Sequence, residues 1–177
     1  MSADQVVLAP QTKELKTRSG ATLAVRPVTP QDESLLEEFF DRVSDEDRRF
    51  RFLSAHKHLD HKILAPMVEV DHFRTESFIA FDAATGVVVG HAMLACDNPL
   101  DTGEIAISVC GNWRGKGVGW ALLDVLADAA RERGLRRVIS IEDRENHAAI
   151  ELEREKGFVP HGVDGDPHLV MLEKVLR

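Results

Sequence analysis

The chain has 177 residues, 44% of them apolar and 29% charged. That is one domain's length, enough to bury ~70% of the unfolded surface, with an ordinary globular composition. Its 22 basic and 30 acidic residues leave a formal charge of −8, which argues against duplex nucleic acid or an anionic membrane as partner, since both select basic faces. Cys96 and Cys110 form no CxxC or zinc-type spacing and read as reduced thiols. The start, "MSADQVVLAPQTKELK", carries Asp4 and only a short apolar run, unlike a signal peptide. The most apolar segment, "VVVGHAMLAC", is too short to span a bilayer. These features predict a cytoplasmic protein.

Residues 1–12 read as a loose terminus and 13–177 as a single domain. "KELKTRSGATLAVRPV" predicts two strands around a turn at Arg18 to Gly20. Thr29 caps a helix that starts at Pro30 and turns Leu35, Leu36, Phe39 and Phe40 to one face. Ser44 caps a short second helix carrying "RRFRFL". A third runs from about Leu59 to Val70, disturbed by Pro66. Period two then takes over: "SFIAFD", a turn at "AATG" and "VVVGHAMLAC" form a hairpin, and "GEIAISVC" a further strand. Helix 117–133 places Val118, Ala121, Leu122, Val125 and Ala129 at helical spacing. "RRVISIE" is a strand, "NHAAIELEREKG" a helix, and two short strands follow Phe158. This order specifies a mixed α/β sheet with helices packed on it.

Three glycines, Gly115, Gly117 and Gly119, stand at a strand-to-helix junction. A phosphate-binding P-loop needs four residues between its glycines and a hydroxyl after Gly-Lys. Here three residues separate Gly111 from Gly115, and Gly117 occupies the hydroxyl position. A dinucleotide turn needs glycine where Trp120 stands. What remains is Arg114-x-x-Gly117-x-Gly119, whose amides can turn toward an anion at the positive end of the following helix. That geometry suits a pyrophosphate.

The order Val109-x-x-x-x-Arg114-Gly115-x-Gly117-x-Gly119 resembles the acyl-CoA-binding motif of the GCN5-related N-acetyltransferases. "NHAAIELEREKGF" is similar to that family's following helix, with Asn146, Ala149, Leu152, Gly157 and Phe158 at matching positions. The resemblance implies the GNAT fold: a mixed, mostly antiparallel sheet of six to seven strands, with about four helices on both faces. It implies acetyl-CoA as acyl donor, with no metal. The pantetheine arm would lie between the strand ending at Val109 and "RRVISIE". Ile107 and Val109 would bond it through their backbones, and Asn146 would face it from the other side. Arg114, Gly115, Lys116, Gly117 and Gly119 would hold the pyrophosphate.

Acetyl transfer requires a neutral amine. A lysine-type amine with pKa ~10.4 is about one part in a thousand neutral near pH 7.4, a deficit of ~4 kcal/mol that a general base can supply. Glu104 opens the cofactor strand and shares a face with the small residues Ala106 and Ser108. "LAVRPVTPQDESLLEEFFDRVSDEDRRFRF" resembles the start of Pat-type acetyltransferase domains, which modify lysines on other proteins, notably acyl-CoA synthetases. By that resemblance Glu104 is the base, and the acceptor is a protein lysine. Alternatives are a small amine (polyamine, amino acid or aminoglycoside) or a non-catalytic acyl-CoA sensor. The protein would act as monomer or homodimer, without nucleic acid or membrane.

The chain departs from the family in two places. Where many relatives carry a tyrosine that protonates the departing thiolate, Glu153 stands, and the chain has no tyrosine. An exposed helix glutamate is expected there, so no general acid is assigned. Gly111 replaces the usual proline of the first motif. His56, His58 and His61 read as a polar turn, Arg131, Arg133, Arg136 and Arg137 as cations at a helix end, Phe50 and Phe52 as core, and His91 as a satisfied interior histidine.

Overall fold

The computed structural model describes residues 11–177, so most of the loose 1–12 terminus lies outside the described residues. β1 (Lys13–Lys16) and β2 (Thr22–Pro27) are joined by a tight turn. A single 3-10 turn leads into α1 (Glu33–Arg42), and α2 (Asp45–Phe52) and α3 (His61–Val68) follow. Next come β3 (Thr75–Asp82), β4 (Val88–Cys96), β5 (Thr102–Val109), α4 (Val118–Glu132) and β6 (Arg137–Asp143). The described chain ends with α5 (His147–Glu155), β7 (Val159–Gly162) and β8 (Leu169–Val175).

Local chemistry sets most of these boundaries. Ser44 Oγ accepts from the Asp47 amide at 3.1 Å, Asp60 Oδ1 from Ile63 at 3.2 Å, and Asn146 Oδ1 from Ala149 at 3.4 Å. These are side-chain N-caps that satisfy otherwise orphaned amides. α3 is shorter than its sequence pattern suggests and contains Pro66.

Among the described residues the strands form one sheet in the order β1-β2-β3-β4-β5-β6-β8-β7, the eight strands read along the chain where the resemblance implied six to seven. The five α-helices among the described residues likewise match that reading, against about four implied by the resemblance. The edges β1 and β7 are four residues long, with mostly exposed side chains. Among the described strands only β5 and β6 pair in parallel; every other neighbouring pair is antiparallel.

Helices cover both faces. A β-carbon at Gly90 would lie 2.9 Å from Leu122, so that face of β4 meets α4. On the opposite face Phe40 of α1 stacks edge-on to His91, ring centres 5.9 Å apart. Phe39, Phe40, Phe81, Leu94, Leu122 and Leu126 are buried in the core.

The parallel pairing is short. Thr102, Gly103 and Glu104 register with Arg137, Val138 and Ile139, and there it stops. β5 continues beside β4 to Val109, while β6 continues beside β8 to Asp143. A gap therefore opens in mid-sheet just beyond Glu104.

Candidate active site

The gap is the floor of a cleft of about 440 Å³. β5 contributes Glu104 through Val109, β6 Ile141 and Glu142, and α5 Asn146, Ala149, Leu152 and Glu153. α2 adds Asp47, Phe50 and Arg51, and the glycine loop adds Arg114, Gly115, Gly117 and Gly119. The structure thus brings together Glu104, Ile107, Val109, Arg114, Gly115, Gly117, Gly119 and Asn146. Lys116 is not in the lining. Its Nζ lies 4.9 Å from the Trp113 ring centre, and its carbonyl accepts from Ser19 Oγ at 2.7 Å.

The glycines divide their work differently from the sequence expectation. Gly115 adopts φ +74° with open space where a β-carbon would go, so its backbone is accessible. Gly117, at φ +85°, would place a β-carbon 3.1 Å from the Arg18 amide nitrogen. Gly119 would place one 3.0 Å from Leu152 Cδ2. Absence of a side chain at 117 and 119 therefore admits the β1–β2 turn and α5, in addition to any anion. α4 also differs from α2, α3 and α5 in having no side-chain cap at its N-terminus. Its first amides are left for an anion, aided by the helix dipole.

Arg114 reaches toward α2, with Nε 3.3 Å from an Asp47 carboxylate oxygen. Asn146 is already engaged: while Oδ1 caps α5, Nδ2 donates to Glu142 at 3.2 Å. Trp120 lies between two cations, with Arg18 Cζ and Lys156 Nζ each 3.9 Å from its ring centre.

Arg51 is a cleft residue with no warning in the sequence. Burial lowers its pKa, while the charges of Glu104 and Glu142 oppose that shift. Its Nε has no hydrogen-bond partner, and Nη2 meets only Met93 Sδ at 3.9 Å. Phe50, assigned to the core, is buried and lines the cleft as well. His91 is only half satisfied. Nε2 is 2.7 Å from Ser77 Oγ, but Nδ1 has no partner, and burial with the Arg51 charge pushes its pKa down to about 3.

Glu153 corrects the expectation of an exposed helix glutamate. It is 6% exposed, and its Oε2 is unpartnered. Burial, then the Glu142 carboxylate, pushes its pKa up to about 9. Asn146, Ala149 and Glu153 share the α5 face turned to the cleft. That spacing of three and seven was the available signal.

Arg51 Nε, His91 Nδ1, Ser108 Oγ and Glu153 Oε2 are the buried side-chain polar atoms without a partner among the described residues. Three belong to the cleft lining, and His91 pairs directly with Ser108 across β4 and β5. Native proteins leave few such atoms unpaired. Their convergence marks a surface made for polar ligand groups.

The remaining candidates lie elsewhere. His58 Nδ1 is 3.0 Å from Asp41 and His61 Nδ1 2.7 Å from Glu33, and these carboxylates raise both imidazole pKa values. Among the described residues, no three His, Cys, Asp or Glu side chains group as metal ligands. Arg133 Nε donates to Phe73 O at 2.7 Å and Arg137 Nε to Thr102 Oγ1 at 2.8 Å, so both stitch elements together. No helix among the described residues is long and apolar enough to cross a membrane.

A mid-sheet gap between parallel strands, beside an uncapped helix preceded by a glycine loop, is the arrangement that the acyl-CoA resemblance implies. The acetyltransferase (GNAT) family model matches residues 32–158, and the chain belongs to that family of acetyl-CoA-dependent enzymes. It is 27% identical to the GNAT domain of S. lividans PAT, with a TM-score of 0.87 over 95% of this chain and 98% of that one. A Pseudomonas aeruginosa acetyltransferase is 28% identical over 142 residues, 79% of this chain and 76% of its own. The L-methionine sulfoximine/L-methionine sulfone acetyltransferase of the same organism is 37% identical over 84 residues. That match spans 45% of this chain and about half (48%) of the relative.

Proposed function

We propose that residues 13–177 form one catalytic domain that transfers the acetyl group of acetyl-CoA to a primary amine by direct attack. Glu104 is the general base, and a protein lysine is the preferred acceptor. The observation that carries this reading is the position of Glu104. It is the last residue paired to β6 before the strands part, and it lines the cleft with its side chain exposed.

The donor fits the remaining residues. The amides of Gly115 to Gly119 and the Arg114 side chain take the pyrophosphate, with Arg114 exchanging Asp47 for it. Pantetheine lies along Ile107 and Val109, where β5 has lost its β6 partner. The amine gives its proton to Glu104, directly or through a water, and attacks the thioester carbon. The GNAT domain of S. lividans PAT, which matches nearly end to end, supports the protein-lysine acceptor.

Glu104→Gln keeps the shape but cannot take a proton, so kcat should fall ~10²–10⁴-fold while acetyl-CoA affinity holds. The deficit should shrink as pH rises toward the amine's own pKa. Near-normal activity at neutral pH would remove Glu104 as base.

Arg51 favours a second reading, a small amine that also carries a carboxylate. A buried guanidinium with an unused N–H is suited to pairing with a carboxylate. The sulfoximine acetyltransferase relative points the same way. Labelled acetyl-CoA offered to lysine peptides and to free amino acids separates the readings. Arg51→Met should raise KM for an amino acid acceptor and leave peptide KM unchanged.

A further inference from the structure

We propose that Glu142 and Glu153 act as a carboxyl pair holding one proton at the parted edge of β6, and that Glu153 donates it to the coenzyme A thiolate. This rests on the acetyl-transfer reading above and assigns the acid that the reading lacks.

The two carboxyls have unequal surroundings. Glu142 Oε1 accepts from Ser140 Oγ at 2.8 Å and Oε2 from Asn146 Nδ2 at 3.2 Å. The Arg51 charge also attracts it. Glu153 is buried on α5, is repelled by Glu142 and has an oxygen with no partner in a lined cleft. Ser140 alone favours its ionised form. Lys156, just past the end of α5, is paired with Asp124 at 2.7 Å. Two like charges this close do not both ionise readily, so the proton stays on Glu153, consistent with a pKa near 9.

The proton balance closes. The amine nitrogen, its ammonium proton already passed through Glu104 to solvent, bonds to the thioester carbon and then loses one further proton to Glu104. When the tetrahedral intermediate collapses, the C–S bond breaks and its electron pair goes to sulfur. Sulfur takes the Glu153 proton, leaving two carboxylates at 142 and 153. Solvent returns a proton to Glu153, and Glu104 releases one. The products are an amide and a neutral thiol.

The ionisation also predicts stability. Glu153 is protonated when folded and ionised above about pH 4.5 when unfolded, so the folded state holds the extra proton between about pH 4.5 and 9. Wild-type stability should therefore fall as pH rises through that window, and Glu153→Gln should lack this component. Urea melts of both proteins from pH 4 to 9 give the comparison.

In activity, Glu153→Gln should lower kcat ~10²-fold at neutral pH with acetyl-CoA affinity by calorimetry unchanged. Glu142→Gln removes the like charge and should move the ionisation of Glu153 downward, shifting the alkaline limb of the rate profile to lower pH. Full kcat in Glu153→Gln would overturn the donor role. Parallel stability curves for wild type and Glu153→Gln would overturn the shared proton. Glu104→Gln should leave the alkaline limb in place, so loss of the base reading is seen separately from loss of this one.

Discussion

Arg51 carries its charge into the cleft next to a histidine that stays neutral. His91 is fully buried and its pKa is about 3, whereas unfolded histidine titrates near 6.5. As pH falls from 6.5 toward 3 the unfolded chain binds a proton that the folded one refuses, so stability is lost over that window. The loss should be on the order of a few kcal/mol by pH 3. His91→Asn should flatten this component in denaturant melts across the same pH range. Arg114 makes a different kind of contribution. Removing it should raise the acetyl-CoA KM by about one to two decades with kcat preserved, since one charge-assisted contact is worth ~1.5–3 kcal/mol. Initial-rate kinetics of Arg114→Ala decide this, and loss of kcat at constant KM would place the residue elsewhere.

The glycine loop works as a joint between three elements. Its carbonyl at 116 is held by Ser19, Gly117 lies against the β1–β2 turn, and Gly119 lets α4 approach α5. Gly119→Ala should change stability by no more than ~1 kcal/mol, because the helix-propensity gain of ~1 kcal/mol is offset as Leu152 Cδ2, 3.0 Å from the new methyl, gives way. The Gly119→Ala/Leu152→Ala double variant should show a coupling energy of opposite sign, read from urea melts as a less than additive loss. Gly117 tolerates substitution less well, since positive φ and backbone contact coincide there. The loop's spacing was legible in the sequence because a strand, an arginine and glycines in fixed order are local features. The packing partners of Gly117 and Gly119 were not, because Arg18 and Leu152 are far away in the chain.

Across the whole molecule, one sheet is made of two antiparallel halves joined by three parallel residue pairs. A ligand in the gap would touch β5 on one side and β6 with α5 on the other, and so tie the halves together. Acetyl-CoA at about 100 times its Kd should add ~2.7 kcal/mol to folding stability, and thus raise Tm by roughly 5–11 °C for a chain of this size. A thermal melt with and without acetyl-CoA checks the prediction. A shift of similar size with adenosine alone would mean that the gap is not the pantetheine site.

Residue order alone specified the β-α-β-α-β half, the helix cap at Ser44, and the glycine loop. Each rests on periodicity or on contacts within a few residues. It also marked the short edge strands β1 and β7, from the turns beside them, although their exposed side chains carry little pattern. Tertiary structure decided which polar side chains share the cleft. Arg51 comes from α2, His91 from β4, Glu142 from β6 and Glu153 from α5. Burial and charge at these residues depend on neighbours 11 to 102 positions apart along the chain, and no local pattern encodes those distances. Glu153 reads as an ordinary surface glutamate until α5 turns it against Glu142, where desolvation and a like charge keep it protonated.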